Sequence, residues 1–516
     1  MPKERSRTEY SAMNTTVAVV SRMAAILMGF LTRVVFTHTL SEAYVGINGL
    51  FTDILNVLSL SELGVGTAIT FSLYQPIARG DEEKQKSLMK LYQNIYRGVA
   101  LLVFAAGILI IPFMDVLIKN QPDVGNLTVI YLMYLGNSVI SYLLVYKRTL
   151  IDAHQKLYVG ILYQTVFLII QDIAQIFVLV FTKNFILFLT IYIICTVGTN
   201  LAISRRADRM YPFLRDREVR SLDKPEKKEI AQNIRAMLMH KIGTVVINNT
   251  DNLILSAFVG IISVGCYSNY YLVIGSIRQI LDQVFLGITA SVGNLGATED
   301  TGRVKRIFEI AFFICQWLYG WAAICLYELV SPFVELSFGR QYLFSSDVVF
   351  VICLQFYILG LRKACQVFRD SLGLFWFDRY KSVVEAVLNI ALSLWFVQLW
   401  GAGGIFLGTV VSTVLTSMWV EPYVLYKKRL HCPVRRYFYH LLLYVAVMAV
   451  ALLITDAVCC CIAGSALYVM LLRLPVCLFV PNLFLALLYW RKKEFKASRQ
   501  KLSRLWKDRR AERPRD

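Results

Sequence analysis

Charged residues are scarce in this chain, and their scarcity excludes an ordinary soluble protein. Asp, Glu, Lys and Arg make up only 17% of the 516 residues, whereas hydrophobic residues make up 57%. The mean hydropathy is +0.55, and apolar runs recur at lengths that can cross a bilayer. The composition therefore predicts an all-α integral membrane protein with many spans.

Catalytic and metal-binding motifs are missing as well. The 11 cysteines include no CxxC spacing, and the five histidines are scattered along the chain. The sequence has no phosphate-binding loop, nucleophile motif or catalytic carboxylate pair, and its external loops are too short to hold a catalytic domain. We therefore predict no enzymatic activity, no cofactor and no metal site. No RNA- or DNA-binding motif accompanies the net charge of +19, so no nucleic-acid partner is predicted.

The apolar runs predict fourteen transmembrane helices. The polar segment 1–13 leads directly into the first run without a small-residue cleavage site, so no removable signal peptide is predicted. The predicted spans are 14–39, 44–74, 91–114, 126–146, 157–182, 184–204, 236–260, 264–296, 305–330, 346–368, 380–400, 403–426, 437–458 and 465–490.

The distribution of positive charge predicts the orientation of these spans. An even number of spans places both termini on one side, and 45 of the 54 Lys and Arg residues then lie in segments on that side. Only Lys119, Lys183 and Arg340 lie in the opposite loops. The positive-inside rule therefore predicts cytoplasmic termini in a multi-pass protein of the cytoplasmic membrane.

An internal repeat of 219–222 residues relates the two halves of the chain. The stretch "IPFMDVL" at 111–117 falls on "SPFVELS" at 331–337, and Gly46 falls on Gly265. Because each half contains six spans, the halves are predicted to be parallel repeats that enclose a central cavity. The predicted domains are an N-terminal lobe at 1–204, a cytoplasmic linker at 205–235, a C-terminal lobe at 236–428, two additional helices within 429–490 and a basic cytoplasmic tail at 491–516.

Two arginines lie in the first predicted span. Arg22 and Arg33 are eleven residues apart, so both leave the same face of a helix. A charge at membrane depth costs at least ~2.5 kcal/mol, which favours a position facing a partner or a water-filled cavity. Snorkelling to the nearest interface is the alternative. The repeat places Lys241 at the position of Arg22, and this matched pair favours the cavity.

The seventh predicted span carries five consecutive polar residues, Asn248 to Asn252. Unpaired polar groups are costly against lipid, so we expect this cluster to line the cavity. Pairing between helices remains the alternative for the charged residues of this half: Lys241, Arg278, Asp251 and Asp282.

Three stretches resemble the polysaccharide and oligosaccharide-lipid flippases of the multidrug/oligosaccharidyl-lipid/polysaccharide (MOP) exporter superfamily. They are "GINGLFTDILNVLSLSELGVGTAITFSLYQPIA" at 46–78, "TDNLILSAFVGIISVGCYSNYYLVIGSI" at 250–277 and the stretch from "RDSLGLFWFDRYK" to "EPYVLYKK" at 369–428. The resemblance implies two six-helix lobes with two terminal helices. It also implies that a polyprenyl diphosphate-linked glycan is flipped to the outer leaflet by alternating access, for synthesis of capsule, exopolysaccharide or another envelope polysaccharide.

The candidate site residues suit that substrate. Guanidinium groups offer paired donors to a diphosphate, and neutral amides such as Asn48 suit sugars, while the lipid tail stays in the bilayer. The predicted substrate-binding residues are Arg22, Arg33, Lys241, Asn248, Asn249, Asn252 and Arg278. The candidate ion-coupling residues, for which a structural salt bridge or helix cap is the alternative, are Glu62, Asp251 and Asp282. Membrane potential and proton or sodium exchange both remain possible driving forces.

Three other functions stay open. A lipid II flippase would use a similar carrier and cavity. A cation-coupled multidrug exporter would favour an acidic cavity, and a membrane glycan polymerase or ligase would need a large external loop that this sequence lacks. The linker at 205–235 either contacts the polysaccharide synthesis machinery or only joins the lobes.

Overall fold

The computed structural model describes residues 7–59, 65–119, 124–216, 219–220, 222–228, 230–232, 234, 249–298, 301–374, 377–378 and 380–496. Within these ranges the chain forms helices and no β-strand, which confirms the predicted all-α class.

The first half of the chain forms nine helices in the described ranges. They are α1 (Arg7–Thr39), α2 (Glu42–Leu58), α3 (Val65–Arg79), α4 (Glu82–Ile110), the short α5 (Met114–Leu117), α6 (Leu127–Leu144), α7 (Tyr146–Ala153), α8 (Leu157–Thr182) and α9 (Phe185–Met210).

The second half begins with a helical segment that ends in a π-helical turn at Leu255–Val259. The helices that follow are α10 (Ile261–Thr298), α11 (Thr301–Phe338), α12 (Ser346–Leu361), α13 (Lys363–Ser371), α14 (Lys381–Trp400), α15 (Ala402–Leu415), α16 (Ser417–Leu425), α17 (Arg435–Cys460) and α18 (Ala466–Tyr489).

The helices confirm a multi-pass membrane protein. In the part of the chain that the structure describes, ten helices are long and apolar enough to span a bilayer, and α6 with α7 makes an eleventh candidate that is bent by 46°. Each of the three remaining predicted spans, 44–74, 236–260 and 264–296, includes residues that are not fully described. The count of fourteen therefore stays a prediction.

The chain divides into two compact units, the N-terminal unit Met1–Ser268 and the C-terminal unit Asn269–Asp516. The division falls inside α10, so the beginning of this helix packs with the first half of the chain. The predicted lobes at 1–204 and 236–428 remain a prediction about the sequence repeat.

Two glycines let α2 and α10 cross closely within the N-terminal unit. A Cβ atom at Gly46 would lie 2.0 Å from the carbonyl oxygen of Ile261, and one at Gly265 would lie 3.0 Å from that of Glu42. Small residues at membrane helix crossings allow this backbone approach. The glycines that the repeat pairs in sequence therefore meet at one crossing.

The described part of the linker at 205–235 is attached to the start of α4. Lys86 Nζ lies 3.2 Å from an oxygen of Asp216, and Ser87 Oγ donates a hydrogen bond of 2.6 Å to the carbonyl oxygen of Arg220. These contacts hold the described part of the linker against the N-terminal unit, and its role stays a prediction.

Candidate functional site

Polar side chains meet where α2 packs against the segment that leads into α10. The Asp53 carboxylate accepts a hydrogen bond from Asn252 Nδ2, and Asn56 Nδ2 donates one of 3.3 Å to Asn249 Oδ1. The close crossing at Gly46 holds the two backbones near enough for these contacts. The structure thus brings two of the predicted amides together, and it pairs them with α2 residues that the sequence analysis did not single out.

A polar stripe continues along α2 from this cluster. Asn48, Thr52 and Asn56 follow at intervals of four residues and so share one helix face. The hydroxyl of Tyr134 on α6 donates a hydrogen bond to Asn48 Oδ1. Asp53 and Asn56 are three residues apart in a largely apolar run. This spacing would have allowed the sequence analysis to identify them.

A polar cavity lies between this stripe and the helices α6 and α9, entirely within the N-terminal unit. Its volume is about 340 Å³. The cavity is lined by Thr52, Leu55, Asn56, Ser59, Tyr134, Asn137, Ser138, Ser141, Tyr142, Tyr192 and Thr196, and none of these residues is charged.

The two arginines of α1 have different environments. Arg33 is half-buried, its guanidinium lies 5.9 Å from the ring centre of Phe36, and it is close enough to the Tyr134 hydroxyl for an electrostatic interaction. Arg22 is exposed, and none of the residues described here forms an ion pair with it. Arg33 therefore lies beside the cavity, whereas nothing connects Arg22 with it.

Three predicted site residues, Glu62, Lys241 and Asn248, lie outside the described residues. Asp251 is buried in the N-terminal unit, with 5% of its surface exposed. The proposed roles of these residues stay predictions.

Asp282 on α10 forms an ion pair and a hydrogen bond within the C-terminal unit. One carboxylate oxygen lies 2.9 Å from Lys363 Nζ and accepts a hydrogen bond of 2.7 Å from the Tyr319 hydroxyl. Pairing between helices was the alternative considered for Asp282, and the cation observed beside it is Lys363. This arrangement fits a structural salt bridge.

A buried charge network occupies one end of the C-terminal unit. Arg362 at the start of α13 donates to Glu385 on α14 at 3.1 Å and to Glu421 on α16 at 2.9 Å. The hydroxyls of Thr413 and Ser417 also donate to Glu385. Glu421 is fully buried, with 0% of its surface exposed.

The network extends through two further cations. Arg369 lies 2.7 Å from Asp378 and 3.4 Å from Glu421, and Lys381 forms ion pairs with the same two carboxylates. The sequence analysis used these cations only in the count of positive charges that predicts the orientation of the spans. The structure gives them a structural function, because each is buried against carboxylates of neighbouring helices.

The last helix, α18, is fastened to α11 by matched polar contacts. Pro481 has no N–H group, so the carbonyl oxygen of Cys477 one turn earlier lacks its helical donor, and Trp321 Nε1 donates to it at 3.0 Å. Arg473 lies 3.1 Å from Glu328 on the same pair of helices. The two additional helices are therefore an integral part of the C-terminal unit.

The helical fold of this chain is similar to solved structures of membrane transporters and flippases. No protein-family model matches the chain, and no curated protein sequence matches it. The likeness is to solved structures, and at 12–16% identity it concerns the fold.

Three solved structures illustrate the likeness. The lipid II flippase MurJ, in an inward closed conformation, has a TM-score of 0.63 and 14% identity, with 93% of this chain and 99% of that chain covered. An inward-facing multidrug resistance MATE family transporter of the MOP superfamily has a TM-score of 0.61 and 12% identity, with coverage of 78% and 98%. The Vibrio cholerae MATE transporter VcmN, solved as a mutant, has a TM-score of 0.50 and 16% identity, with coverage of 82% and 99%.

Proposed function

We propose that this protein is a flippase that moves a polyprenyl diphosphate-linked oligosaccharide from the cytoplasmic to the outer leaflet for envelope polysaccharide synthesis. The observation that carries the proposal is the extent of the fold match. The match to the flippase MurJ covers 93% of this chain and the match to the first MATE transporter covers 78%, and the greater extent of the first match favours a flippase over a drug exporter.

The charges on α1 support an anionic substrate. Arg22 and Arg33 lie in an apolar helix, and their guanidinium groups match a diphosphate through paired hydrogen bonds. A cationic drug would be repelled by the same residues. In the proposal, Lys241 completes the diphosphate site from the second half of the chain.

The amides and the carboxylates have separate proposed roles. In the proposal, Asn48, Asn249 and Asn252 offer amides to the sugar hydroxyls, and Asn248 and Arg278 complete the substrate site. Asp251 and Glu62 remain candidates for ion coupling, whereas Asp282 has the weaker claim because Lys363 neutralises it. Membrane potential alone favours outward movement of a net negative charge by about 2.3 kcal/mol per 100 mV.

Transport of lipid II is the second candidate, and the fold match to MurJ favours it. Both substrates share a polyprenyl diphosphate and differ in the attached saccharide. Expression of this gene in cells that have lost their own lipid II flippase separates the two, because only a lipid II flippase restores growth.

The orientation in this proposal places both termini and the linker in the cytoplasm. A cysteine introduced at Ser345 in a cysteine-free background is expected to react with a membrane-impermeant thiol reagent from outside the cell. A cysteine at Lys228 is expected to react only after permeabilisation, and reaction from outside would reverse the proposed orientation.

The test of function is delivery of the lipid-linked saccharide to the outer leaflet in cells that express each variant at the wild-type level. Arg22→Ala, Arg33→Ala and Lys241→Ala are each expected to reduce delivery at least about tenfold, the loss of roughly one charge-assisted hydrogen bond. Lys183→Ala, an exposed cation outside the proposed site, is the matched control. Normal delivery in all three alanine variants would contradict the proposed diphosphate site.

The identity of the glycan comes from a deletion strain. The lipid-linked saccharide that accumulates on the cytoplasmic leaflet after loss of the gene is the substrate, and mass spectrometry identifies it. The absence of any accumulated lipid-linked saccharide would count against flipping as the function.

A further inference from the structure

We propose that the cavity between α2, α6 and α9 in the N-terminal unit is a binding subsite for the saccharide part of the substrate. This inference rests on the proposed flippase function and adds the residues that recognise the sugar. Apart from Asn48, which borders the cavity, the sequence analysis had placed the sugar only near the amides of the seventh span.

The hydroxyl groups of the cavity wall present acceptors. Each of four hydroxyls donates its hydrogen to a carbonyl oxygen of its own helix, so only the lone pairs of its oxygen remain for a ligand. The four bonds run from Thr52 to Asn48 at 2.6 Å, from Ser59 to Asn56 at 2.7 Å, from Ser141 to Ser138 at 2.6 Å and from Thr196 to Tyr192 at 2.9 Å. A ligand of this cavity must therefore donate several hydrogen bonds.

Asn137 adds a buried hydrogen-bond acceptor that lacks a donor among the described residues. Its side chain is only 7% exposed, its amide interacts with the Tyr192 hydroxyl, and its Oδ1 atom accepts no hydrogen bond from any described residue. A buried acceptor left in this state costs about 1–3 kcal/mol. Rotation of the Asn137 amide toward the cavity would bring this acceptor to a ligand hydroxyl and relieve that cost, which makes the residue a recognition group in the proposal.

Aromatic rings complete the match to a sugar. Tyr134, Tyr142 and Tyr192 each contribute a ring with an apolar face and a polar edge. A sugar ring has the complementary surface, because its axial C–H groups pack on an aromatic face while its hydroxyls reach acceptors at the edge. The volume of about 340 Å³ is that of a small ligand site and admits a sugar ring.

The charges around the cavity distinguish the sugar from the diphosphate. No cation lines the wall among the residues described, so the wall does not suit a phosphate group. Arg33 lies next to Tyr134 at its border. A sugar in the cavity, joined directly to its diphosphate, would thus place the anionic group toward an arginine.

Two other occupants are less suited to the cavity. Oxygen ligands hold a metal cation at ~2.3–2.6 Å, and a space of about 340 Å³ is too wide for such a cage. Water alone would also fill a polar cavity of this size. Water would account for the polar side chains of the wall, but not for the three tyrosine rings among them.

The test uses the full-length protein in phospholipid nanodiscs with two variants of the cavity and one control. Asn137→Leu removes the spare acceptor while keeping the side-chain volume, and Ser138→Phe fills the space. Thr182→Phe places the same ring on an exposed position of α8, outside the cavity. The probes are undecaprenyl diphosphate and the same lipid carrying a single glucose, galactose or N-acetylglucosamine residue.

Wild-type protein is expected to bind at least one sugar-bearing probe about tenfold more tightly than the bare lipid, the equivalent of roughly one recovered hydrogen bond. Both cavity variants are expected to lose this preference while keeping their affinity for the bare lipid, and Thr182→Phe is expected to keep both. Asn137→Leu is also expected to melt no lower than wild type, because removing an unsatisfied polar group carries no structural penalty.

Each other result counts against the proposal in a recognisable way. Binding of neither kind of probe by wild type would overturn both the flippase function and the subsite. Equal binding of bare and sugar-bearing lipid, or an unchanged preference in both variants, would overturn only the subsite. Loss of a sodium- or potassium-dependent thermal shift in the variants, without loss of sugar preference, would identify a cation site instead.

Discussion

Two polar regions, the cavity of the N-terminal unit and the charge network of the C-terminal unit, treat their buried polar groups in opposite ways. The cavity of the N-terminal unit is lined by neutral side chains, has space for a ligand and contains an acceptor, Asn137 Oδ1, that lacks a donor. The charge network of the C-terminal unit pairs Arg362 with two carboxylates and surrounds Glu421 with cations. Spare hydrogen-bonding capacity indicates a place for a ligand, whereas saturated capacity indicates a structural function.

A second contrast appears at two joins between helices. In the N-terminal unit, Lys147 on α7 lies 2.7 Å from Asp208 on α9, and both side chains keep 15–19% of their exposure. In the C-terminal unit, a join between α13 and α16 is made by Arg362 and the fully buried Glu421. Because solvent screens the first pair and not the second, the two pairs are expected to contribute differently to the free energy of unfolding.

The largest expected effect is on the charge network. Glu421→Ala leaves three cations without their shared partner in a buried site, and breaking a buried pair in this way costs about 3–5 kcal/mol. We expect a large fall in melting temperature in detergent. Glu335→Ala is the control, because the Arg340 side chain in that pair is 84% exposed. An unchanged melting temperature for Glu421→Ala would show that the network is not structural.

The next effect concerns the crossing of α2 and α10. Gly46→Ala forces a methyl group against the Ile261 carbonyl oxygen, and such overpacking costs about 1–3 kcal/mol. Gly98→Ala is the matched control, since a Cβ there meets nothing within 4 Å and replacing a mid-helix glycine stabilises by about 0.5–1 kcal/mol. Melting temperatures that shift in opposite directions would confirm the close crossing, and parallel shifts would contradict it.

A smaller effect on stability is expected from the titration of His154 in the N-terminal unit. His154 lies outside the spans and stacks on Tyr211, and its partial burial, with Lys156 nearby, lowers its pKa from 6.5 to about 4. Between pH 6.5 and 4 the unfolded chain binds a proton that the folded protein does not, so stability falls as pH falls. The melting temperature is expected to decline over that range, and His154→Gln is expected to reduce the slope. An equal slope in the variant would assign the dependence to other groups.

Much of the fold followed from apolar run length. The helix α8 spans Leu157–Thr182, the predicted boundaries, because polar residues end the run on both sides. The length of an apolar run did not predict the helix boundary where the helix extends beyond that run. The helix α1, for example, begins at Arg7, whereas the predicted span begins at residue 14. A helix satisfies its own backbone groups in water as well as in lipid, so its end need not coincide with the end of an apolar run.

The site was less predictable because it depends on residues that are distant in sequence. The partners of Arg362 lie 23 and 59 residues away, so positive-inside counting treated this cation as a free loop charge. Asp53 was visible as a lone carboxylate in an apolar run, but its contact with Asn252 joins residues 199 positions apart. The cavity requires three helices at once, and no local pattern predicts their juxtaposition.

The smallest expected effect is at the partly exposed pair of the N-terminal unit. Lys147→Ala removes the partner of Asp208, but solvent still reaches that carboxylate, so we expect a loss of only about 0.5–1 kcal/mol. The double variant Lys147→Ala with Asp208→Ala is expected to lose little more than either single variant, and the melting temperatures of all three give the coupling directly. Lys147→Ala is also expected to weaken in effect at high salt, whereas Glu421→Ala is not, because counterions screen exposed charges and do not reach buried ones. If both variants destabilise equally and without salt dependence, the two helix joins are equivalent, and the distinction between an open and a closed polar interior does not extend to these ends.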